Sequence, residues 1–585
     1  MDFLFNYRRG IVALAAAIVY TLAIAANVLS LSSSSNVTQS AAQVSNASMV
    51  RLAYQDGNLL KKAWLVAYTE LDQTNQRNHV VIKYSLDEGT SWSAPVLLSK
   101  DAAGQATEGL QPKLVALSGT SGPKLMVAWT SPYCPSNTPP TTTQALECVW
   151  AATPDNAQLQ QWSSTQLSTG QRHASQLVAA TNASDGGLGM AWVEEAPGAG
   201  SNIWYTHSPQ WDLASLRNNL AQASNNNATS ANAPSASQPH IAIQDGSTVL
   251  VYQESYCNAA TPTPCIVMQH FPYAQPGFSK AAGAEGEAGS VISSPLQYAS
   301  QPNVTLQASS SASQLRTLVT WHEAASNANN APADIVLRRG MRGASASGSS
   351  GFLAEDLLQD IPQKITQLAA SGTNSQNPRA LINDNQITLA FQQNSANNTS
   401  AYNLYLVQSH NTGAKWSAPQ NISKLSAPGE SVSAHQLVGT PASIYNPVTG
   451  RTGLGDTQDS RIVFMAYALH NKVSNQGQPL FVSRSKDLGA TFEPFLMVSG
   501  NTAANSQVSL TPSPDGASTN ILWQDNTDAM FATAAPPLST ATDPAQVPCG
   551  CGSTSTPQKW DPLLPAMALL SAIALGLNQQ RNTIK

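Results

Sequence analysis

The sequence predicts an all-β protein, a β-propeller of about eight four-stranded blades, on three observations. One phrase of short strands returns eight times, at intervals of about 63 residues. Each copy contains a β-branched and aromatic run bounded by turn residues, which is typical of a strand. No helical periodicity separates the copies, and repeated units of three or four strands are typical of propeller blades. Seven or six blades remain open as alternatives.

Openings and second strands define the repeat. Each repeat begins with a short aliphatic strand, and we call the residue that opens this strand the repeat opening. The openings are Val50, Pro112, Ser175, Pro239, Pro302, Pro378, Pro441 and Val508. The second strands are AWLVAY (63–68), KLMVAW (124–129), GLGMAW (187–192), TVLVY (248–252), RTLVTW (316–321), ITLAF (387–391), RIVFMAY (461–467) and NILW (520–523). The one long interval contains a Gly/Ser/Ala-rich insertion at 340–351.

The eighth unit lacks an obvious outermost strand. It contains NILW and then AMFAT (529–533), after which a linker begins. The segment 36–38 (NVT), ahead of the first unit, is similar to 421–423 (NIS), the outer strand predicted for the sixth unit. We therefore expect the N-terminal strand to complete the last blade, because this closure removes the exposed edges of an open array.

Composition excludes several classes of protein. Only 11% of the residues are charged, and the net charge is −5 without a basic stripe, which excludes a general nucleic-acid binder. A hydrophobic content of 42% is too high for a disordered chain. The chain has no P-loop, H-E-x-x-H or G-x-S-x-G motif, so we expect no cofactor, no metal site and no serine-hydrolase site.

The N-terminus is predicted to be an export signal. Arg8 and Arg9 precede an apolar run over 11–26, and Ala23-Ile24-Ala25 fits the small-x-small pattern of a signal-peptidase site. Residues 1–25 are therefore predicted to form a signal peptide, with an uncleaved membrane anchor as the alternative. The propeller is predicted to span 36–535.

The C-terminus carries a second predicted targeting segment. After a linker at 536–560, which contains Cys549 and Cys551, come DPLLP (561–565), an apolar stretch and the basic residues Arg581 and Lys585. Residues 561–585 resemble the C-terminal sorting signals of bacterial surface proteins, and a helix docked on the fold is the alternative. We expect a monomeric, exported protein, periplasmic or on the cell surface, that associates with the membrane through its terminal segments.

The cysteines fit an oxidising compartment. Cys134 and Cys148 bracket one Pro/Thr-rich stretch, and Cys257 and Cys265 bracket another. We expect one disulfide in each pair, since small loops closed in this way are common in exported proteins. The spacings lack the paired C-x-x-C and histidine pattern of a zinc site.

Three turns share the motif S-x-D-x-G-x-x-W, with Asn for Asp in one copy and Phe for Trp in another. The matching residues are Ser85, Asp87, Gly89 and Trp92; Ser409, Asn411, Gly413 and Trp416; and Ser485, Asp487, Gly489 and Phe492. The motif resembles the Asp box, or BNR repeat, of the sialidase-like β-propeller superfamily, and this resemblance covers most of 36–535. In that family the box is structural, so its copies identify a fold and not an activity.

The predicted topology separates two faces of the propeller. The Asp-box turns join third and fourth strands, so loops that join second and third strands emerge on the opposite face. Both predicted disulfides staple loops of this second kind. Long stapled loops on one side are suited to binding, and we expect the ligand there.

An aromatic-x-acid pattern ends several second strands. The acids are Glu70, Glu194, Glu254, Glu323 and Asp525, and Gln393 takes the place in the sixth unit. One interpretation is a ring of carboxylates at the channel mouth that binds a cation or transfers protons. The other is structural: each acid accepts hydrogen bonds from the backbone of a neighbouring loop.

The sialidase resemblance implies three arginines around a substrate carboxylate, a Tyr/Glu nucleophile pair and an Asp acid/base. Arg51 lies at the right distance before the first Asp box, but the family's Arg-Ile-Pro segment is replaced by Arg51-Leu52-Ala53. Arg379 is aligned with Arg51 in the sixth repeat, and Lys113 and His240 in others. Arg77 and the acid/base candidate Asp72 lie in the first blade's upper loop. No Tyr/Glu pair is apparent, and the family has six blades.

These observations together predict an exported cell-envelope propeller that binds a glycan or protein ligand through its loop face, without catalysis. Two alternatives stay open. One is a sialidase-like glycoside hydrolase that uses an arginine cluster. The other is a scaffold whose partner is another envelope protein.

Overall fold

Eight four-stranded sheets form the blades of a β-propeller in the computed structural model, which confirms the predicted fold class. The described residues are 29–536 without 40–41, 136–145, 182–185, 196–199, 225–233, 245–246, 256–262, 274–289, 295, 307–314, 327–330, 342–361, 367–371, 384–385, 396–397, 426–429, 440–443, 447–450, 454–461, 472–477, 503–507, 514–516 and 526–527. They all belong to the first of two units, 1–537 and 538–585. The predicted signal peptide and C-terminal segment lie outside them. Within them, no helix has the length and apolar character needed to cross a membrane.

Blades 1 to 4 follow one another along the chain. From the innermost strand outward, blade 1 contains β3 (Val44–Asp56), β4 (Leu59–Asp72), β5 (Arg77–Ser85) and β6 (Val96–Leu97), and blade 2 contains β7 (Leu110–Leu117), β9 (Lys124–Ser131), β10 (Cys148–Pro154) and β11 (Trp162–Gln166). Blade 3 contains β12 (His173–Thr181), β13 (Leu188–Glu195), β14 (Ser201–Ser208) and β15 (Ala221–Gln222), and blade 4 contains β16 (Ala236–Gln244), β17 (Ser247–Glu254), β18 (Cys265–Pro272) and β19 (Ser290–Val291). In addition, β8 (Thr120–Ser121) pairs in parallel with β3, and helix α1 (Leu213–Asn218) precedes β15.

Blades 5 to 8 complete the ring. In the same order, blade 5 contains β20 (Tyr298–Leu306), β21 (Leu315–Ala324), β22 (Ala333–Met341) and β23 (Gln363–Lys364), and blade 6 contains β24 (Ser375–Asn383), β25 (Gln386–Ser395), β26 (Asn398–Ser409) and β27 (Gln420–Asn421). Blade 7 contains β28 (Glu430–Gly439), β31 (Val463–Asn471), β32 (Gln478–Ser485) and β33 (Leu496–Thr502). Blade 8 contains β34 (Ser509–Pro512), β35 (Thr519–Asp525) and β36 (Asp528–Ala535), and β1 (Ser30–Leu31) and β2 (Ser35–Asn36) pair with β36. A hairpin of β29 (Ile444–Asn446) and β30 (Arg451–Gly453) precedes β31.

Each boundary between neighbouring blades holds its own hydrophobic core. Trp64, Val66 and Tyr68 of β4 pack toward blade 8. The alternate residues Leu65 and Ala67 pack toward blade 2. Because successive side chains of a strand point to opposite faces and both faces are covered, the second strands are apolar throughout. This explains why runs such as AWLVAY recur.

The N-terminal strand closes the ring, as predicted. In the antiparallel pair of β2 and β36, Asn36 lies opposite Met530. Beyond β2, the backbone N–H of Val37 donates to the carbonyl of Ala529 at 2.9 Å. The last blade therefore contains strands from both ends of the propeller, and β36 has no open edge where β2 pairs with it.

A buried lysine of blade 1 holds the closing segment. Lys83 is 5% exposed, and its ammonium donates to the carbonyls of Val37 and Thr38, at 2.9 Å each. Burial lowers the pKa of this ammonium. The Thr38 hydroxyl also donates to the Asp528 carboxylate at 2.8 Å, so polar contacts from two blades fix the same short segment.

The outer strands of seven blades end in one pattern, an apolar residue followed by Ser or Thr. The apolar N–H donates to a third-strand carbonyl, and the hydroxyl accepts the N–H of that same third-strand residue. The pairs are Val37-Thr38, Leu98-Ser99, Leu167-Ser168, Ala223-Ser224, Ile292-Ser293, Ile365-Thr366 and Ile422-Ser423. This shared bonding is the physical basis of the sequence similarity that predicts the closing strand.

The predicted repeat opening at Pro441 is wrong. Pro441 lies outside the described residues, and the inner strand of blade 7, Glu430–Gly439, ends before it. The β29–β30 hairpin is inserted between the first two strands of this blade. The insertion lengthens the connection between the inner and second strands of blade 7. An opening placed at a constant spacing along the chain therefore falls beyond the end of the inner strand.

The three turns that carry the S-x-D-x-G-x-x-W motif share their hydrogen bonds. In the first, the Gly89 N–H donates to the Ser85 hydroxyl at 2.8 Å, and the Asp87 carboxylate accepts from the Ser91 N–H at 2.9 Å. The glycine–serine pairs of the other two turns are Gly413–Ser409 and Gly489–Ser485. All three glycines have φ between +86° and +93°, a range that favours glycine.

The first of these turns packs on the closing blade. Gly89 has φ +88°, and a Cβ at this position would lie 2.2 Å from Cε1 of Phe531 in β36. Trp92 meets the same phenylalanine ring edge-on, with the ring centroids 5.5 Å apart. The turn and the closing blade thus fix each other in place.

We predict that Gly89→Ala destabilises the protein more than Gly57→Ala. Both glycines have positive φ, but a Cβ at Gly57 would have no atom within 4 Å. Backbone strain should cost each variant about 1 kcal/mol, and overpacking against Phe531 should cost Gly89→Ala a further 1–3 kcal/mol or so. Thermal and urea denaturation of the two variants and the wild type measure the difference. Equal losses would contradict the proposed packing.

Candidate binding site at the channel mouth

The ends of the second strands and the starts of the inner strands lie side by side. In blade 1, Val44 pairs with Glu70, and in blade 3, His173 pairs with Glu195. Antiparallel pairing therefore places the loops between second and third strands on the same face as the start of each inner strand. We call this the loop face, and the part of it around the inner strands the channel mouth.

The loop face carries one of the two predicted disulfides. Cys134 and Cys148 are bonded, and they close the connection between β9 and β10. Cys265, at the start of β18, is also disulfide-bonded. Its predicted partner, Cys257, lies outside the described residues.

Six consecutive inner strands contain a β-bulge near their start, each with one Asn or Gln in the left-handed conformation. Their φ values lie between +51° and +54°. We call these residues the amide ring: Asn46, Gln111, Gln176, Gln238, Gln301 and Asn377. Such φ values are uncommon outside glycine and cost on the order of 1–2 kcal/mol each. Six equivalent cases indicate that the left-handed conformation has a structural or functional role.

Part of the role of the amide ring is to connect neighbouring blades. The side-chain oxygen of Gln176 accepts the backbone N–H of Gln238 at 2.5 Å. Gln238 accepts from Gln301 at 2.6 Å, and Gln301 accepts from Asn377 at 2.8 Å. Since a backbone N–H can only donate, each of these amides must turn its oxygen toward it and its NH₂ group away.

The residue that resumes pairing after each bulge forms a second layer. Its members are Ser48, Lys113, Val178, His240, Asn303 and Arg379. This layer contains two cations and no acid. Burial lowers the pKa of both Lys113 and Arg379. In the part of the chain that the structure describes, neither cation lies within ion-pair distance of a carboxylate.

Arg379 shares its surroundings with two histidines of other blades. Burial, together with the charge of Arg379, lowers the pKa of His240 to about 4 and that of His435 to about 3. Both histidines are therefore neutral at pH 7. The side chain of Asn303 lies 3.0 Å from Nε2 of His240, which fixes that ring between blades 4 and 5.

The predicted arginines do not meet at one point. Arg51 lies three residues beyond the second-layer position of its strand, and its guanidinium lies 5.5 Å from the centroid of the Trp64 ring. Arg379 is equivalent in register to Ser48 and not to Arg51. Arg77 begins β5, at the edge of the loop face. The alignment of Arg51 with Arg379 is wrong because it took Val50, not Ala47, as the equivalent of the opening prolines.

Asp72, the predicted acid/base, holds a turn. Its Oδ1 accepts the Thr74 N–H at 2.8 Å, and its Oδ2 accepts from the Asn75 side chain at 2.8 Å. The Thr74 hydrogen bond is the main cause that lowers the pKa of this carboxyl, and His79 adds to it. An acid with a lowered pKa is ionised at neutral pH and is poorly suited to donate a proton.

The acids of the aromatic-x-acid pattern lie mostly inside the blades. Glu323 is 3% exposed and accepts the backbone N–H of Ser294 at 3.1 Å, the structural role considered for the pattern. Glu254 is buried, and Glu70 and Asp525 are half-buried. Burial raises the pKa of Asp525, and the nearby Asp528 adds to the rise. No group of three potential metal ligands occurs among the described residues.

Glu194 is the most deeply buried of these acids. Its Oε1 accepts from Trp192 Nε1 at 2.9 Å, whereas its Oε2 is buried without a hydrogen-bond partner. Burial raises the pKa of this carboxyl to about 7, although Trp192 and the charge of Arg172 oppose the rise.

Sequence reasoning missed the amide ring, although a signal was present. An Asn or Gln stands directly before four opening prolines, at Gln111, Gln238, Gln301 and Asn377. A residue before proline normally takes an extended conformation, so the left-handed bulge contradicts the local preference. The recurrence of an amide at this place was the available clue.

Comparison with known proteins adds only distant likenesses. No protein-family model and no curated protein matches the chain. Similar solved structures are sialidases and other β-propeller glycoside hydrolases. A Hadza microbial sialidase, Hz136, is 10% identical with a TM-score of 0.33, over 81% of this chain and 76% of its own. The NanB sialidase of Streptococcus pneumoniae is 9% identical, with a TM-score of 0.34 over 86% of this chain and 98% of its own.

A third likeness is the α-L-arabinanase of Penicillium chrysogenum. It is 10% identical with a TM-score of 0.33, over 86% of this chain and 98% of its own. The fold assignment stands on the strands described above, and nothing further follows from likenesses this distant.

We predict that Glu194→Gln stabilises the protein at pH 8 and not at pH 5. The folded-state pKa of about 7 exceeds the ordinary glutamate pKa of 4.5, so the wild type loses stability as the pH rises between them. The amide still accepts from Trp192 but is not ionised, and the gain at pH 8 should be on the order of 2 kcal/mol. Urea denaturation at both pH values measures it, with the exposed neighbour Glu195→Gln as the control. The same gain at both pH values would contradict the assignment.

Proposed function

We propose that this protein is a non-catalytic binding propeller whose ligand, a glycan or a protein, binds at the channel mouth on the loop face. The observation that carries the proposal is that the candidate catalytic residues are separated, and that Arg51 and Asp72 are engaged in structural contacts. Arg51 stacks on Trp64, Asp72 holds a turn, and Arg379 lies in a different blade. What the mouth does offer is a set of polar side chains on rigid inner strands, which suits recognition.

Glycoside hydrolysis requires more than this arrangement supplies. In the usual scheme two carboxyl groups flank the bond to be cleaved, about 5–10 Å apart. Here Glu194 and Glu323 belong to blades 3 and 5, and each is buried against a tryptophan of its own strand. A buried carboxyl that already accepts from its own blade is poorly placed to meet a substrate.

A sialidase-like hydrolase is the second candidate function. The Asp-box-like turns and the presence of Arg379 at the channel mouth favour it. It would need two further cations to move toward Arg379 when substrate binds. Lys113 lies in the same layer, but in blade 2.

Export to the cell envelope is part of the proposal. The Cys134–Cys148 bond supports an oxidising compartment, and the apolar run after Arg8 and Arg9 supports a signal peptide. An envelope scaffold that binds another envelope protein uses the same face and differs only in its partner. Pull-down from an envelope extract separates this case from glycan binding.

We predict that the full-length protein, produced in an oxidising compartment, shows no turnover of fluorogenic sialoside or arabinoside substrates. It should instead be retained on a glycan array or by an envelope-protein partner. A catalytic site would show as hydrolysis that rises in proportion to protein concentration.

The matched variants for this assay are Arg379→Gln and Arg77→Gln. Arg379 lies in the second layer, whereas Arg77 lies at the edge of the loop face. Hydrolysis by the wild type that Arg379→Gln abolishes and Arg77→Gln preserves would overturn the binding proposal in favour of the hydrolase.

A further inference from the structure

We propose that the channel mouth between blades 4 and 6 binds an oxyanion, a carboxylate or sulfate group carried by a glycan, through the amide NH₂ groups of Gln238 and Gln301 and the guanidinium of Arg379. This inference rests on the proposed function, since it names the ligand chemistry of the same face.

Hydrogen bonds between blades fix the orientation of the two glutamine amides. Gln238 and Gln301 each use their oxygen to accept a backbone N–H of the next blade, so their NH₂ groups are directed elsewhere. Among the described residues, no protein acceptor meets either NH₂ group. Gln238 is also exposed, and the strained bulge holds it on a rigid strand. Two pairs of N–H donors are therefore available at the mouth.

The positive charge of Arg379 is not balanced by a carboxylate among the described residues. Arg379 lies two residues after the amide ring on β24, and its one described hydrogen bond is from Nη1 to the carbonyl of Pro378, at 3.3 Å. A guanidinium has five N–H donors, which match the two oxygens of a carboxylate or sulfate. Water reaches Arg379, while the protein around it lowers its pKa by desolvation. An anion would offset this unfavourable desolvation.

The acids of blades 4 and 5 compete little with such an anion. Glu254 and Glu323 end the second strands of these blades and are buried there. Glu430, at the start of the inner strand of blade 7, is half-buried. Burial raises the pKa of Glu323, which opposes its ionisation. The histidine facing Arg379 from blade 4, His240, is neutral and adds no charge of either sign. The two charged members of the second layer, Lys113 and Arg379, are both cations, so the charge of this layer favours an anion.

The test is calorimetric binding with the full-length protein. The probes are an oligogalacturonate, a sulfated chondroitin oligosaccharide and the methyl-esterified form of the first, which has the same sugars without the charges. We expect the two anionic probes to bind with an affinity that falls as salt increases, and the esterified probe to bind at least about tenfold more weakly.

The decisive variant is Gln238→Glu. The carboxylate keeps the oxygen that accepts from the Gln301 N–H but replaces the NH₂ donor with a negative charge, so the fold should be retained while anion binding falls by at least about tenfold. Arg379→Gln should have a similar effect. The control is Gln210→Glu, which adds the same charge at an exposed residue in the β14–α1 connection, on the opposite face. Melting temperatures show whether each variant folds.

Three results would overturn the inference. The first is equal affinity for the charged and esterified probes, and the second is no binding of either anion. The third is unchanged binding by a folded Gln238→Glu variant. If the wild type then still bound a neutral glycan or a protein, the proposed function would stand and only its assigned ligand chemistry would fail. If nothing bound at all, both would fail.

Discussion

The structure depends on one constraint: the first sheet must meet the last. Each blade covers a face of its neighbour, so seven of the eight inter-blade cores form between blades that follow one another along the chain. The eighth, which includes Val37, Trp64 and Phe531, joins the two ends. Without it, blade 1 and blade 8 would each expose an apolar face. The polar contacts of Lys83 and the turn at Gly89 all act at this boundary, which explains why so many interactions converge on a short N-terminal segment.

The fold was accessible from the sequence because its determinants are repeated. A strand buried on both faces must be apolar throughout, and eight such runs at even spacing are typical of blades arranged in a ring. Even the closing strand was predictable, since 36–38 and 421–423 make the same hydrogen bonds. The repeat opening predicted at Pro441 is misplaced because an insertion interrupts the repeat. An inserted hairpin alters spacing without altering the strands, and spacing alone cannot detect it.

The candidate site was less accessible, for a physical reason. The acids that end the second strands are conspicuous in the sequence, yet their burial is a property of the packed blades. The amide ring depends on a left-handed conformation that local preference disfavours, and which contacts with the next blade stabilise. The sequence alone aligned Arg51 with Arg379, whereas the β-bulges show that the two arginines occupy different positions along their inner strands. The arrangement of side chains at the mouth therefore follows from inter-blade geometry, which no single repeat encodes.

The pairing of β2 with β36 also governs how the chain can mature. The two partners are about 490 residues apart, so β2 waits for β36 to be synthesised. During synthesis, the apolar face of blade 1 that packs on blade 8 stays uncovered until the remaining blades have emerged. An apolar face exposed in this way favours aggregation until it is covered. Truncation before β36 would leave the same face uncovered in the finished chain.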